Sequence, residues 1–200
     1  MKKVFLAALA ATSIGLAAFT AVTELPIGAD MPLGDYKMKD VSGKTITLNE
    51  AKKEAGVLVM FSCNTCPYVI KNQQRTVDIS NYALKKGIGV VLVNSNEGQR
   101  SGDDSFASMQ QYAKNQGYQW YYTVDVKSQL ADAFGANRTP ECFLFNKDGK
   151  LVYHGAIDDN PAAASGTRAH LKEAINEMLA NKEVSVKTSR SVGCSIKRAK

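Results

Sequence analysis

Phe61-Ser62-Cys63-Asn64-Thr65-Cys66-Pro67 is the stretch that decides how this 200-residue chain folds. It places a Cys-x-x-Cys directly after the apolar run Val57-Leu58-Val59-Met60-Phe61. That run is continuously apolar instead of alternating, as expected of a central strand covered on both faces. Pro67 suits the first turn of a helix, where its missing N–H removes a donor that would otherwise go unpaired. Two thiols at a strand-to-helix junction can close a small disulfide ring and open it again with little change in the fold, so the stretch reads as a redox site.

Residues 1–21 read as a secretory signal peptide: Lys2 and Lys3 precede the apolar run Val4 to Ala18, and small residues follow. The run is short of the ~20 apolar residues a spanning helix needs. The expectation is an exported, periplasmic or secreted protein, membrane-anchored only if the signal is retained, with no stable membrane insertion after cleavage. Residues 22–32 read as an extended linker marked by Pro26 and Pro32, residues 33–180 as one domain, and 181–200 as a basic C-terminal tail. The net charge of +6 sits mostly in that tail, where Lys182, Lys187, Arg190, Lys197, Arg198 and Lys200 face Glu183 alone. A basic end on a near-neutral body, without interleaved aromatics, reads as solvated chain and not as a nucleic-acid footprint.

Along the domain, Tyr36 to Val41 and Thr45 to Leu48 read as a hairpin, followed by a short helix over Glu50 to Glu54 capped by Asn49. A helix is predicted from Cys66 to about Lys86, with Cys66, Ile70, Val77 and Leu84 on one stripe. Ile88 to Val93 is a second continuously apolar strand, and Asn94 to Asp104 a polar loop. A helix through Phe106, Met109 and Ala113, a strand at Trp120 to Val124 and a helix at Ser128 to Phe134 come next. Asp148-Gly149 joins the strands Glu141 to Asn146 and Lys150 to Gly155 in a hairpin. After the connection Asp158 to Gly166, a final helix carries Leu171, Ala174, Ile175, Met178 and Leu179 behind a Thr167 cap. The order βαβαβαββα defines an α/β fold: a central mixed sheet, mainly parallel in its first half, with helices on both faces and an N-terminal hairpin extension.

The nucleophile of thiol-disulfide exchange is a thiolate. Cys63 at the amino end of the helix is expected to have a lowered pKa and to attack; Cys66, one turn on, is expected to resolve the mixed disulfide. No second Cys-x-x-Cys or Cys/His cluster completes a zinc site, so no metal is expected. His154 and His170 read as surface or half-buried polar residues, and Trp120 with Tyr121-Tyr122 as the core and rim of a strand.

The Cys-x-x-Cys-Pro junction, Thr139-Pro140 ahead of Phe143 to Gly149, and Gly155-Ala156-Ile157-Asp158-Asp159 together resemble the thioredoxin-like redoxins. The nearest group is the one named for alkyl hydroperoxide reductase and thiol-specific antioxidant, overlapping the exported TlpA-like thioredoxins. Val192-Gly193-Cys194-Ser195-Ile196-Lys197 is similar to an ending of some members, so the resemblance spans nearly the whole mature chain. It implies a thioredoxin-like fold with a redox-active Cys63–Cys66 disulfide and no cofactor. It also implies a cis-Pro140 packed beside that disulfide, with the neighbouring backbone at Thr139 pairing to an extended substrate. Its implied partners are protein thiols or disulfides and an upstream electron donor or acceptor.

Three features depart from the family. Ser62 stands where thioredoxins carry an aromatic residue, and Asn64-Thr65 where they carry Gly-Pro; their buried acid falls at Val57; and Leu58 to Ser62 hold neither the Pro nor the Thr of a peroxide pocket. The reading is therefore an exported thiol-disulfide oxidoreductase. Thiol-dependent peroxidase and a non-catalytic copper-binding or interaction protein stand as alternatives. Cys142, on the same side of its strand as Pro140, is either near the disulfide or a buried structural thiol. Cys194 is a third redox cysteine, a partner for Cys142, or an exposed thiol without a role.

Overall fold

The computed structural model describes residues 23–160 and 168–199. The predicted signal peptide and the Thr167 cap lie outside the described residues. β1 (Met38–Asp40) and β2 (Thr45–Ile46) form the expected hairpin, followed by α1 (Leu48–Ala51), β3 (Gly56–Phe61), α2 (Pro67–Lys71), α3 (Gln73–Lys85) and β4 (Ile88–Asn94). Next come α4 (Phe106–Asn115), β5 (Tyr121–Val124), α5 (Gln129–Phe134), β6 (Arg138–Thr139), β7 (Glu141–Asn146), β8 (Leu151–Gly155), α6 (His170–Leu179) and β9 (Cys194–Ser195).

Strands β2-β1-β5-β4 and β3-β7-β8 are two runs that meet along β4 and β3, where the Ser62 N–H donates to Val93 O at 2.9 Å. The β4–β5 ladder is parallel, while β1–β2, β1–β5, β3–β7 and β7–β8 are antiparallel. The sheet is mixed, as expected, but leans further towards antiparallel than the strand-helix alternation suggests.

Alternation along β3 explains its unbroken apolar run. Leu58 and Met60 face a core shared with α3, α4 and α6, while Val57, Val59 and Phe61 face a second core shared with α1 and α5. Every residue of β3 and β4 is buried. Each large apolar side chain placed there contributes about 1.5–3 kcal/mol relative to exposure, and both helical layers rest on these two strands.

Local differences from the sequence reading have local causes. α1 is capped by Thr47, not Asn49: the Glu50 N–H donates to Thr47 Oγ1 and Thr47 N–H to the Glu50 carboxylate, a reciprocal capping box. The expected helix from Cys66 to Lys86 is broken at Asn72 into α2 and α3. Asn72 Nδ2 donates to Tyr68 O at 2.8 Å and Arg75 Nη1 to Asn72 Oδ1 at 3.0 Å, so side chains serve the junction. The buried stripe then runs through Val69, Thr76, Ile79, Ser80 and Ala83, and Ile70 is exposed. Small hydroxyl residues on that face hid the stripe from a hydropathy reading.

The two ends of the described residues are not free. Leu25 N–H donates to Phe134 O, Gly28 N–H to Leu151 O and Met31 N–H to Gly149 O, so the predicted linker lies along α5 and β8. In the predicted solvated tail, Val184 and Ile196 are buried, His154 N–H donates to Lys187 O, and Ser189 N–H donates to His154 O. The tail runs beside β8 and returns to the Cys-x-x-Cys. Too few apolar residues lie in it to signal this by periodicity.

Candidate active site

β3 ends at Phe61, and the cysteine loop turns under the polar segment after β4. That segment, read as a polar loop, is largely buried at Asn94, Ser95, Asn96 and Asp104. The Asp104 carboxylate accepts from Asn64 N–H at 2.9 Å, Asn94 Nδ2 at 2.7 Å and Asn96 Nδ2 at 2.8 Å. Tyr122 Oη donates to Asn64 Oδ1 at 2.8 Å, and Asn64 Nδ2 donates to Asp103 O at 2.8 Å. Asn64, which stands where ordinary thioredoxins carry glycine, is thus a clamp with its backbone N–H and both side-chain polar atoms engaged. Sequence reasoning missed Asp104 and this network. Its one sequence signal is the cluster Asn94-Ser95-Asn96 directly after a buried strand.

Cys63 is buried, with Sγ 3.4 Å from Thr139 Oγ1. Burial pushes its thiol above the ordinary value; the Thr139 hydroxyl pulls it down, the Asp104 carboxylate pushes it up, and the Cys66 and Thr65 amides pull it down. This corrects the expected lowering by a helix terminus. α2 starts at Pro67 and its N-cap residue is Cys66, so Cys63 lies ahead of the first turn of a five-residue helix.

The disulfide also differs from the expected one. Cys66 is bonded to Cys194, with Cα atoms 6.1 Å apart, and Cys63 is a free thiol; the expected Cys63–Cys66 bond is not the one formed. β9 makes this possible by pairing antiparallel with β6, Arg138 opposite Ser195 and Thr139 opposite Cys194. Gly193 packs so closely on Thr139 that a Cβ there would collide with the Thr139 carbonyl oxygen. Thr139 therefore touches both halves of the motif: its Oγ1 meets Cys63, and its carbonyl oxygen lies 3.3 Å from Cys66 Sγ. The Thr139–Pro140 peptide bond is cis, as the family resemblance implies.

Cys142 is not part of this cluster. It is opposite Met60 and Gly155 in the main core, and burial drives its thiol far above the ordinary value. Nor is it the partner of Cys194. His154 is buried and not a surface residue: its Nε2 is 2.9 Å from Glu141 Oε1 and its ring stacks on Phe143 at 4.3 Å. Glu141 Oε2 also accepts from Asn137 N–H and Arg138 N–H at 2.9 and 3.0 Å, so the pair holds the turn that presents β6. His170 opens α6, partly exposed. Among the described residues no group of three His, Cys, Asp or Glu side chains is gathered as metal ligands, and no helix is long and apolar enough to cross a membrane.

A buried thiol, a disulfide and a Thr-Pro strand end, set after the central strand of a two-faced mixed sheet, define a thioredoxin-like thiol oxidoreductase class. Residues 26–175 match the model of the Redoxin family, and the chain belongs to it. An uncharacterized conserved protein from Geobacillus kaustophilus has a similar structure, with 32% identity, TM-score 0.81, and 87% of this chain and 93% of that one covered. A hypothetical protein from Sinorhizobium meliloti 1021 is similar at 30% identity and TM-score 0.81, over 88% and 97% of the two chains. The thiol-disulfide oxidoreductase ResA of Geobacillus thermodenitrificans is 23% identical over 133 residues, 66% of this chain and 71% of that protein.

Proposed function

We propose that the protein is an exported enzyme that exchanges disulfides with protein thiols, Cys63 attacking and Cys66 resolving. The observation that carries this reading is the shared contact at Thr139, which sets Cys63 Sγ against its hydroxyl and Cys66 Sγ against its carbonyl. A mixed disulfide on Cys63 then has Cys66 within the same small, buried cluster. The name of the ResA relatives supports the same chemistry, and the charged and apolar start of the sequence supports export. An upstream electron donor or acceptor completes the cycle.

A raised Cys63 thiol and a preceding strand without Pro or Thr give peroxidase chemistry no support of its own. The test is a Cys66→Ser chain incubated with a disulfide-bearing protein, beside wild type assayed for reduction of insulin disulfides. A trapped mixed disulfide through Cys63 and catalytic reduction by wild type are expected. Neither trapping nor reduction would remove the reading.

A further inference from the structure

Cys194 reaches the site on a built segment, not a loose end. Ile196 N–H donates to Asn137 O at 3.0 Å, and its side chain is buried in the core beneath α5. Lys197 N–H donates to Asn96 Oδ1 at 2.8 Å, and Gly98 N–H to Lys197 O at 2.7 Å. Arg198 Nε is 2.7 Å from Asp132 Oδ1, and its Nη2 donates to Ala136 O at 2.8 Å. Gly98 and Gly193 both lie where a Cβ would meet backbone, on the two flanks of Cys194. The segment therefore fills the backbone edge of β6 with the chain's own residues.

We propose that Cys194 is the third member of an internal thiol relay: the Cys66–Cys194 bond stores the oxidising equivalent beside Thr139, and Cys63 collects it by attacking Cys66 Sγ. This deepens the exchange reading above and rests on it. In the step, the Cys63 thiol loses its proton to solvent and its sulfur bonds to Cys66. The Cys66–Cys194 bond breaks, and Cys194 leaves as a thiolate that takes up a proton. One disulfide is exchanged for another, with no net oxidation. The Cys63–Cys66 disulfide then oxidises a substrate dithiol, which forms its own disulfide and leaves both enzyme sulfurs as thiols. In the reducing direction the relay runs backwards: the Cys194 thiolate attacks Cys66 Sγ, Cys63 leaves as a thiolate that takes up a proton, and an upstream dithiol donor, itself oxidised to a disulfide, reduces the Cys66–Cys194 bond before the next substrate is attacked.

The consequence for substrates follows from the filled edge. While Cys66 is tied to Cys194, an extended peptide has no open backbone to pair with at Arg138–Thr139; transfer of the bond to Cys63 leaves β9 held by non-covalent contacts alone. The enzyme's own tail thus competes with peptides for that edge, and its redox state sets the strength of the competition.

The full oxidised chain is quenched in acid, alkylated after denaturation and digested without reductant, and its disulfide peptides are mapped by mass spectrometry. A Cys66–Cys194 peptide with an alkylated Cys63 is expected for wild type, and a Cys63–Cys66 peptide for Cys194→Ser. Finding only Cys63–Cys66 in wild type, with Cys194 alkylated throughout, would overturn the relay. Oxidised wild type and Cys63→Ser are then mixed with a reduced dithiol peptide. Cys63→Ser is expected to keep its Cys66–Cys194 bond and to oxidise the peptide at least tenfold more slowly. Equal rates would show that substrate reads Cys66–Cys194 directly, which overturns the relay and leaves Cys66 as an exchanging cysteine. Absence of any exchange by wild type, with the maps as expected, would overturn the proposed function instead.

Discussion

Moving the disulfide from one pair of cysteines to another changes the size of the loop it closes, and that is measurable as stability. The Cys66–Cys194 bond spans 128 residues, almost two thirds of the chain. In the chain-entropy picture, a loop of that size contributes about 5 kcal/mol by restricting the unfolded ensemble, whereas the three-residue span of a Cys63–Cys66 bond contributes about 2 kcal/mol at most. The perturbation is reduction: urea unfolding of wild type and of Cys194→Ser, each with and without dithiothreitol. Wild type is expected to lose about 4–5 kcal/mol on reduction and Cys194→Ser about 2 kcal/mol or less, with the two reduced proteins nearly alike. The comparison within each protein cancels most of the side-chain cost of the substitution. Equal, small losses in both proteins would refute the long-range bond as the stable one, whatever the catalytic assays report.

Thr139→Val keeps the side-chain shape and removes the hydroxyl that pulls the Cys63 thiol down; a bond to a charged sulfur outweighs one to a neutral thiol by ~1–1.5 kcal/mol, so the thiol should be pushed further up. Iodoacetamide labelling of Cys63 in the oxidised protein, followed against pH, should slow about tenfold below the thiol's pKa. Asp104→Asn turns one acceptor of three N–H donors into a donor and is expected to cost about 2 kcal/mol in urea unfolding. Ile196→Ala removes the buried anchor of the tail, and quantitative disulfide mapping should show part of the Cys66–Cys194 bond converted to Cys63–Cys66. Cys142 holds its proton above the ordinary thiol value of 9.0, so its burial favours the fold fully below that pH. Above it the unfolded chain releases a proton the folded chain keeps, and stability falls; Cys142→Ala should flatten this alkaline decline by about 1.4 kcal/mol per pH unit in pH-dependent unfolding.

The elements with strong periodicity or composition were legible in the sequence. β3 and β4 announce themselves as unbroken apolar runs because each is covered on both faces, and α6 shows its stripe at Leu171, Ala174 and Ile175 because one face meets the core. The positions of Cys63 and Cys66 between a buried strand and a helix, and of Thr139-Pro140 ahead of a strand, were legible because such junctions are local patterns. What stayed hidden depends on long-range partners. Asp104 and Glu141 are carboxylates that a composition reading puts in water, yet each is buried where several N–H groups converge. The Cys66–Cys194 pairing rests on the path of a tail with one buried anchor near its end, and nothing in the residues around Cys194 states which thiol it meets.

The direction of the Cys63 shift bears on how the three thiols divide the work. Ordinary reasoning about a Cys-x-x-Cys assigns the reactivity to a thiolate stabilised at a helix terminus. Here the residue at the N-cap is Cys66, and it is already bonded, while Cys63 is buried next to a network organised by the Asp104 carboxylate. Burial and that charge both favour the neutral thiol, and only the Thr139 hydroxyl and two amides oppose them. Little thiolate stands ready at neutral pH, so in the proposed relay the oxidised protein holds its reactive capacity in the Cys66–Cys194 bond instead of a charge. A low thiolate population also protects Cys63 from adventitious oxidation. The departures at Val57 and Asn64 fit the same division. Val57 places an apolar side chain in the core below the motif, and Asn64 ties the loop to Asp104, Asp103 and Tyr122, so that in the proposed relay the spacing of Cys63, Cys66 and Cys194 selects the sulfur attacked.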